Sequence, residues 1–193
     1  VNNTSNVYYK LTADIDLSNK YILPIATFKA NLDGDNHTIS NFYLHTDMGV
    51  SINTIAYYDS ALILNNEGVI KNVYTRGFHI VNSNADVVDR LGNVTSGLVA
   101  NNLGTIKNVS VNGDVISCST YGAMVVAKNN STSDTVFGTI DTAISSGTIS
   151  GTDYVSGIVG FAGAQSVNKS LGNETAIFGL KTSAGVIANG QSI

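Results

Sequence analysis

Apolar residues along this chain come in short runs broken by asparagine, glycine and serine, and one phrase of that pattern returns almost letter for letter. "NNEGVIKNV" at 65–73 reappears as "NNLGTIKNV" at 101–109. Under both lies a looser spacing: an Ile, an apolar residue three positions on, and a small or apolar residue two further. It reads Ile39, Phe42, Leu44; Ile70, Val73, Thr75; Ile106, Val109, Val111; and Ile140, Ala143, Ser145. Period two buries one face of a strand, and the extra residue between the first two inward positions resets the alternation. The spacing therefore predicts strand, corner, strand. Asn41, Asn72, Asn108 and Thr142 occupy the corner, where residues that tolerate turn dihedrals and bond nearby backbone are expected. Stacked level on level, they would form a ladder that satisfies the polar groups of a bend.

A second segment precedes each corner: "ALILNN" at 61–66, "GLVANN" at 97–102, "AMVVAKNN" at 123–130 and "GIVGFAG" at 157–163. These are short apolar strands closed by turn residues. A third, weaker segment links them, with Ile116 and Ile149 followed by polar residues and then Tyr121 and Tyr154. Three short strands and three turns per repeat predict an all-β fold, a right-handed parallel β-helix of about five coils with a Val, Ile and Leu core. Helices are disfavoured, because Gly and β-branched residues are spread throughout and no apolar stripe of period 3.6 persists. The whole of 1–193 reads as one domain. Residues 1–34 form an atypical cap and first coil around the single Pro24, 35–163 the repeat coils, 164–184 an irregular insertion or short helix, and 185–193 the start of a truncated coil. A chain that begins at Val1 without a Met or leader is expected to be a piece of something longer.

Composition narrows the function classes. Charged residues make up 12%, about half the usual share, so the surface is built from Asn, Ser and Thr. Hydrophobics at 43% still supply a core, which separates this polarity from disorder. A net charge of -4 and ten unclustered Lys plus Arg exclude a nucleic-acid footprint. No run reaches a membrane span, so no membrane insertion is expected. Cys118 is alone and reads as a small buried apolar side chain.

Candidate chemistry is sparse. Asp14 with Asp16, and Asp33 with Asp35, are spaced by two, as an acid–base pair or calcium ligands on one strand face would be. Outward strand and turn positions are the simpler explanation. The position after the corner Ile runs Ser40, Lys71, Lys107, Asp141 and Ala188, a solvated column. Arg76 and Arg90 lack a carboxylate close in sequence, and His37, His45 and His79 have no ligand spacing. Tyr8 with Tyr9 and Tyr57 with Tyr58 are pairs that would stack on sugar rings or pack as core. No catalytic residue, metal ligand or cofactor is assigned.

"LTADIDLS", "LDGDNHTISNFYL", "GLVANNLGTIKNVSVNG" and "VSGIVGFAG" together resemble the glycine-rich GLUG repeat of large bacterial surface proteins. Across most of 8–163 the chain is similar to the N-terminal β-helical region of the immunoglobulin A protease family, zinc metallopeptidases of Gram-positive bacteria. Ala61, and Ala123 or Met124, stand where that repeat usually has Gly. The resemblance implies a secreted or wall-attached location, a host protein such as an immunoglobulin or a surface glycan as partner, and contact with the rest of a parent chain. The family's HExxH zinc motif is not in this sequence. The expected function is thus a non-catalytic extracellular module that positions substrate or spaces a peptidase. The alternatives are an adhesin or carbohydrate-binding module and, third, a polysaccharide lyase or hydrolase.

Overall fold

The computed structural model describes residues 3–45, 59–82, 94–117, 120–129, 131–133, 136–163, 167–168, 171–179 and 182–190. Cys118, Tyr57 and Tyr58 lie outside them. Within them the chain is all β, without a helix. A ten-stranded parallel sheet contains β1 (Tyr8–Lys10), β2 (Ile15–Tyr21), β4 (Asn31–Asp33), β5 (Thr38–His45), β7 (Val69–Lys71), β8 (Tyr74–Asn82), β11 (Thr105–Ser117), β16 (Thr139–Gly151), β19 (Val167–Asn168) and β20 (Leu171–Gly179). A six-stranded parallel sheet contains β3 (Ile25–Phe28), β6 (Ile63–Asn66), β10 (Val99–Asn102), β13 (Val126–Asn129), β18 (Val159–Ala162) and β22 (Ile187–Gly190). The third parallel sheet has four strands, β9 (Val94–Ser96), β12 (Tyr121–Ala123), β17 (Tyr154–Ser156) and β21 (Thr182–Ala184). A small antiparallel pair, β14 (Ser131–Ser133) and β15 (Val136–Phe137), is set between β13 and β16.

From β8 onward the chain visits the sheets in a fixed rotation: ten-stranded, four-stranded, six-stranded, and back. Consecutive visits pair in parallel, so Ile70, Ile106 and Ile140 lie side by side, as do Ile63, Val99, Val126 and Val159. All seven are buried in one cluster with Phe42, Phe78 and Val155, and each fully buried aliphatic side chain contributes about 1.5–3 kcal/mol. Phe42 and Phe78 stack with ring centroids 5.3 Å apart. Three sheets thus share one core.

The register differs from the sequence expectation at three places. Leu32, rather than Ile39, lies beside Ile70, while Ile39 pairs with Thr75. Asn41 therefore belongs to a second corner, where a Cβ on Gly77 would meet its side chain. The local spacing is identical at both corners, so the pattern could not separate them. Residues 164–184 are the second: their described part contains β19, β20 and β21, which extend the ten- and four-stranded sheets in register. A register shift opposite Ser145 to Gly147 disturbs the apolar spacing there and hides the strand. The cap boundary at 34 likewise falls inside a level, because β1 pairs with β4 and β4 with β7. In the first level Leu17, Ser18 and Asn19 stand opposite the single Asn41, which makes that level look atypical in sequence.

Candidate functional site

Each corner needs backbone that ordinary residues avoid. Asn41, Asn72, Asn108 and Thr142 have φ of 56, 53, 50 and 63°, in the left-handed region that asparagine tolerates better than most residues. At the first corner the amide of Asn108 donates to Asn72 Oδ1 at 2.8 Å, and the amide of Asn72 donates to Asp33 Oδ1 at 2.9 Å. Thr142, one level further, donates its hydroxyl to Asp141 Oδ1 at 3.3 Å. Asn41 instead donates to Asp16 Oδ1 at 3.0 Å.

The four aspartates considered as chemistry serve these corners. Asp16 and Asp33 each accept the backbone N–H two residues on, from Ser18 at 2.8 Å and Asp35 at 2.9 Å. Asp14 accepts the backbone N–H of Thr38 at 2.8 Å and faces His37 Nδ1 at 3.2 Å. Asp35 pairs with Lys10 at 2.8 Å. The solvated column is complementary: Lys71 meets Asp33 at 3.0 Å and Lys107 meets Asp141 at 3.6 Å. The Asn72 amide, with the Asp35 N–H and Lys71, holds the Asp33 carboxyl down to about 2. Because that is below its ordinary value of 3.8, the stabilisation is complete above the unfolded value and is lost as pH falls toward 2. Asp33→Asn is expected to flatten the fall in urea midpoint between pH 4 and pH 2, and an acid loss equal to that of the parent protein would clear Asp33 of this role.

A second ladder, missed in the sequence, runs inside. Asn66 Nδ2 donates to Asn102 Oδ1 at 2.8 Å, Asn102 Nδ2 to Asn129 Oδ1 at 2.7 Å, and Asn129 Nδ2 to the Gly138 carbonyl at 2.9 Å. All three asparagines are fully buried. Asn66 and Asn102 are the second Asn of an "NN" pair and Asn129 the first of another, and that doublet is the signal the sequence offers.

On the outer face of the ten-stranded sheet, side chains with recognition chemistry fall into one row. Tyr21, Tyr43, His79, Asp114 and Thr148 are successive register partners on β2, β5, β8, β11 and β16. Ring centroids are 5.6 Å apart for Tyr21 and Tyr43, and 6.0 Å for Tyr43 and His79. Gly77, with φ 62°, is the extra residue of a bulge beside Asn112 and Gly113, and such a bulge bends the strand. A concavity of about 430 Å³ opens there, lined by Tyr43, His79, Asn112 and Asp114. A neighbouring one of about 530 Å³ shares Asn112 and adds Tyr74, Arg76 and Ser146. Asn112 is oriented by its 2.7 Å bond to the Ser146 hydroxyl.

The tyrosine pair Tyr8 and Tyr9 divides between the faces of β1: Tyr8 is 79% exposed, whereas Tyr9 packs against the core. Tyr121 stacks on Tyr154 at 5.3 Å and carries Lys128 Nζ over its ring at 5.3 Å. Burial pushes the Asp59 carboxyl up, opposed by bonds from the Val94 N–H at 3.0 Å and the Asn101 amide at 3.1 Å. Among the described residues no group of three or more His, Cys, Asp and Glu is placed to hold a metal ion. No family model matches the sequence, and neither a curated protein nor a solved structure matches it.

Proposed function

We propose that this chain is a non-catalytic module built as a right-handed parallel β-helix, acting as a stiff display segment of a larger bacterial surface or secreted protein. The observation that carries the reading is the alignment of like residues, Ile70 with Ile106 and Ile140, and Asn66 with Asn102 and Asn129, on successive parallel strands. A chain that returns to the same sheet in register at each pass is what a solenoid requires. Parallel crossovers are right-handed in nearly every known case, which supports the hand. The six-stranded sheet then spans five strand steps, about 24 Å along the stack.

The location and the parent rest on the GLUG-like phrases and the uncharged polar exterior. In a zinc-peptidase parent, catalysis would belong to other residues, with this segment holding substrate or setting distance. Incubating the purified chain with zinc and immunoglobulin is expected to leave the immunoglobulin intact; cleavage would overturn the non-catalytic reading. A second reading, carbohydrate binding, is favoured by the aromatic row on β2, β5 and β8. The lyase or hydrolase alternative has less behind it, because Asp14, Asp16 and Asp33 are committed to corners and Asp35 to Lys10.

A further inference from the structure

We infer that the outer face of the ten-stranded sheet binds an extended, uncharged oligosaccharide lying across the strands along Tyr21, Tyr43, His79, Asp114 and Thr148. The inference rests on the display-module reading for its stacked register, and it names the ligand class and site of that module. Neighbouring strands are about 4.8 Å apart, close to the length of one pyranose unit, so each strand offers one side chain per sugar. Tyr21 and Tyr43, with rings 5.6 Å apart and inclined by 40°, supply apolar surface for the C–H faces of sugars, and His79, 6.0 Å further and turned 71° to Tyr43, supplies ring nitrogens for hydroxyl groups. Beyond them Asp114 and Thr148, both exposed, and the amide of Asn112 supply acceptors and donors for hydroxyl groups.

Charge selects among extended ligands. Among the described residues, the two concavities are lined by one guanidinium, Arg76, and one carboxylate, Asp114, so the strip offers a polyanion no cluster of cations. A nucleic acid or sulfated glycan would want several cations in the row. A protein partner would want a central apolar anchor set in a pocket, whereas these concavities mix aromatic, amide, carboxylate and hydroxyl groups. The bulge at Gly77 makes the face concave, which lets a chain contact two strands at once.

Calorimetric titration of the whole chain with cellohexaose and chitohexaose, with glucose and a heparin hexasaccharide as comparators, tests this. Saturable binding of an uncharged hexasaccharide is expected, with glucose and the heparin fragment at least about tenfold weaker. Tyr43→Ala should weaken binding about tenfold. Because Tyr43 touches two rings and its loss can disturb folding, Tyr21→Ala and Asp114→Ala, at exposed positions, provide the independent check and should each weaken binding with an unchanged melting temperature. Tyr8→Ala, exposed but off the row, should bind as the parent does. Failure of both hexasaccharides to bind, preference for the heparin fragment, or indifference to Tyr21 and Asp114 would each overturn the site. Strand-to-strand distances measured on the same protein separate that outcome from failure of the β-helical reading.

Discussion

Replacing Asn102 by leucine is expected to destabilise the protein by about 2–5 kcal/mol, although the two side chains have the same number of heavy atoms and the same branching. Asn102 accepts from Asn66 and donates to Asn129, and all three are fully buried. Leucine removes the 2.8 Å acceptor of the Asn66 amide and the 2.7 Å donor to the Asn129 oxygen, and each lost buried partner costs about 1–3 kcal/mol. Asn102→Asp separates the two effects. A carboxylate still accepts from Asn66 but faces the Asn129 oxygen with no proton to give. Its folded-state pKa would rise above the unfolded one, so the penalty is complete above the folded-state value and disappears as pH falls below the unfolded value. Urea unfolding at neutral and acid pH reads both. A leucine variant as stable as the parent would mean that the chain of amides is incidental.

The second large effect is expected at Gly147, where alanine should cost about 3–5 kcal/mol. Its φ is 106°, a conformation that side chains rarely adopt, and an added Cβ would run into the backbone carbonyl of Gly113 on the adjacent strand. Both strands are central to the pairing of β11 with β16, so neither can move aside alone. Gly185→Ala provides the contrast, because nothing lies within 4 Å of a Cβ there; its unfolding midpoint should be unchanged. Equal effects at the two positions would show that loss of glycine itself, rather than the close approach of strands, sets the cost.

Much of this was legible because the core repeats. Ile70, Ile106 and Ile140 were found by spacing alone and lie in one register column. The amide of Asn108 donates to Asn72 on the neighbouring strand. Spacing alone places Asn41 with them, because Ile39-Ser-Asn-Phe42 has the spacing of Ile70-Lys-Asn-Val73. Local spacing shows that a corner exists, whereas only pairing shows which corner it is. The buried amides at 66, 102 and 129 were hidden for a different reason: asparagine reads as a turn residue unless its partner one level away is known. The same holds for the outer row. Tyr21, Tyr43 and His79 are unremarkable singly and meet only because a register shift between Asp16 and Lys20 brings Tyr21 beside Tyr43.

The repeated phrase at 65–73 and 101–109 has a physical reason in these terms. Its second Asn feeds the inner ladder, its Ile fills the core, and its last Asn turns the corner. Its Gly lies where strands approach too closely for a side chain: a Cβ on Gly104 would meet the carbonyl of Gly68. The Lys between Ile and corner faces outward and pairs with an Asp of a neighbouring level, worth little in stability.

Distances between spin labels along the outer row test the stacked architecture most directly. With Cys118 replaced by Ser, labels would be placed at Tyr21 with Thr148 and at Tyr21 with Ala176, all exposed positions of one register column. Four and five strand steps predict mean separations of about 19 and 24 Å, differing by one strand spacing. Separations that fail to grow with the number of strands crossed, or that place Ala176 nearer to Tyr21 than Thr148, would contradict the β-helix.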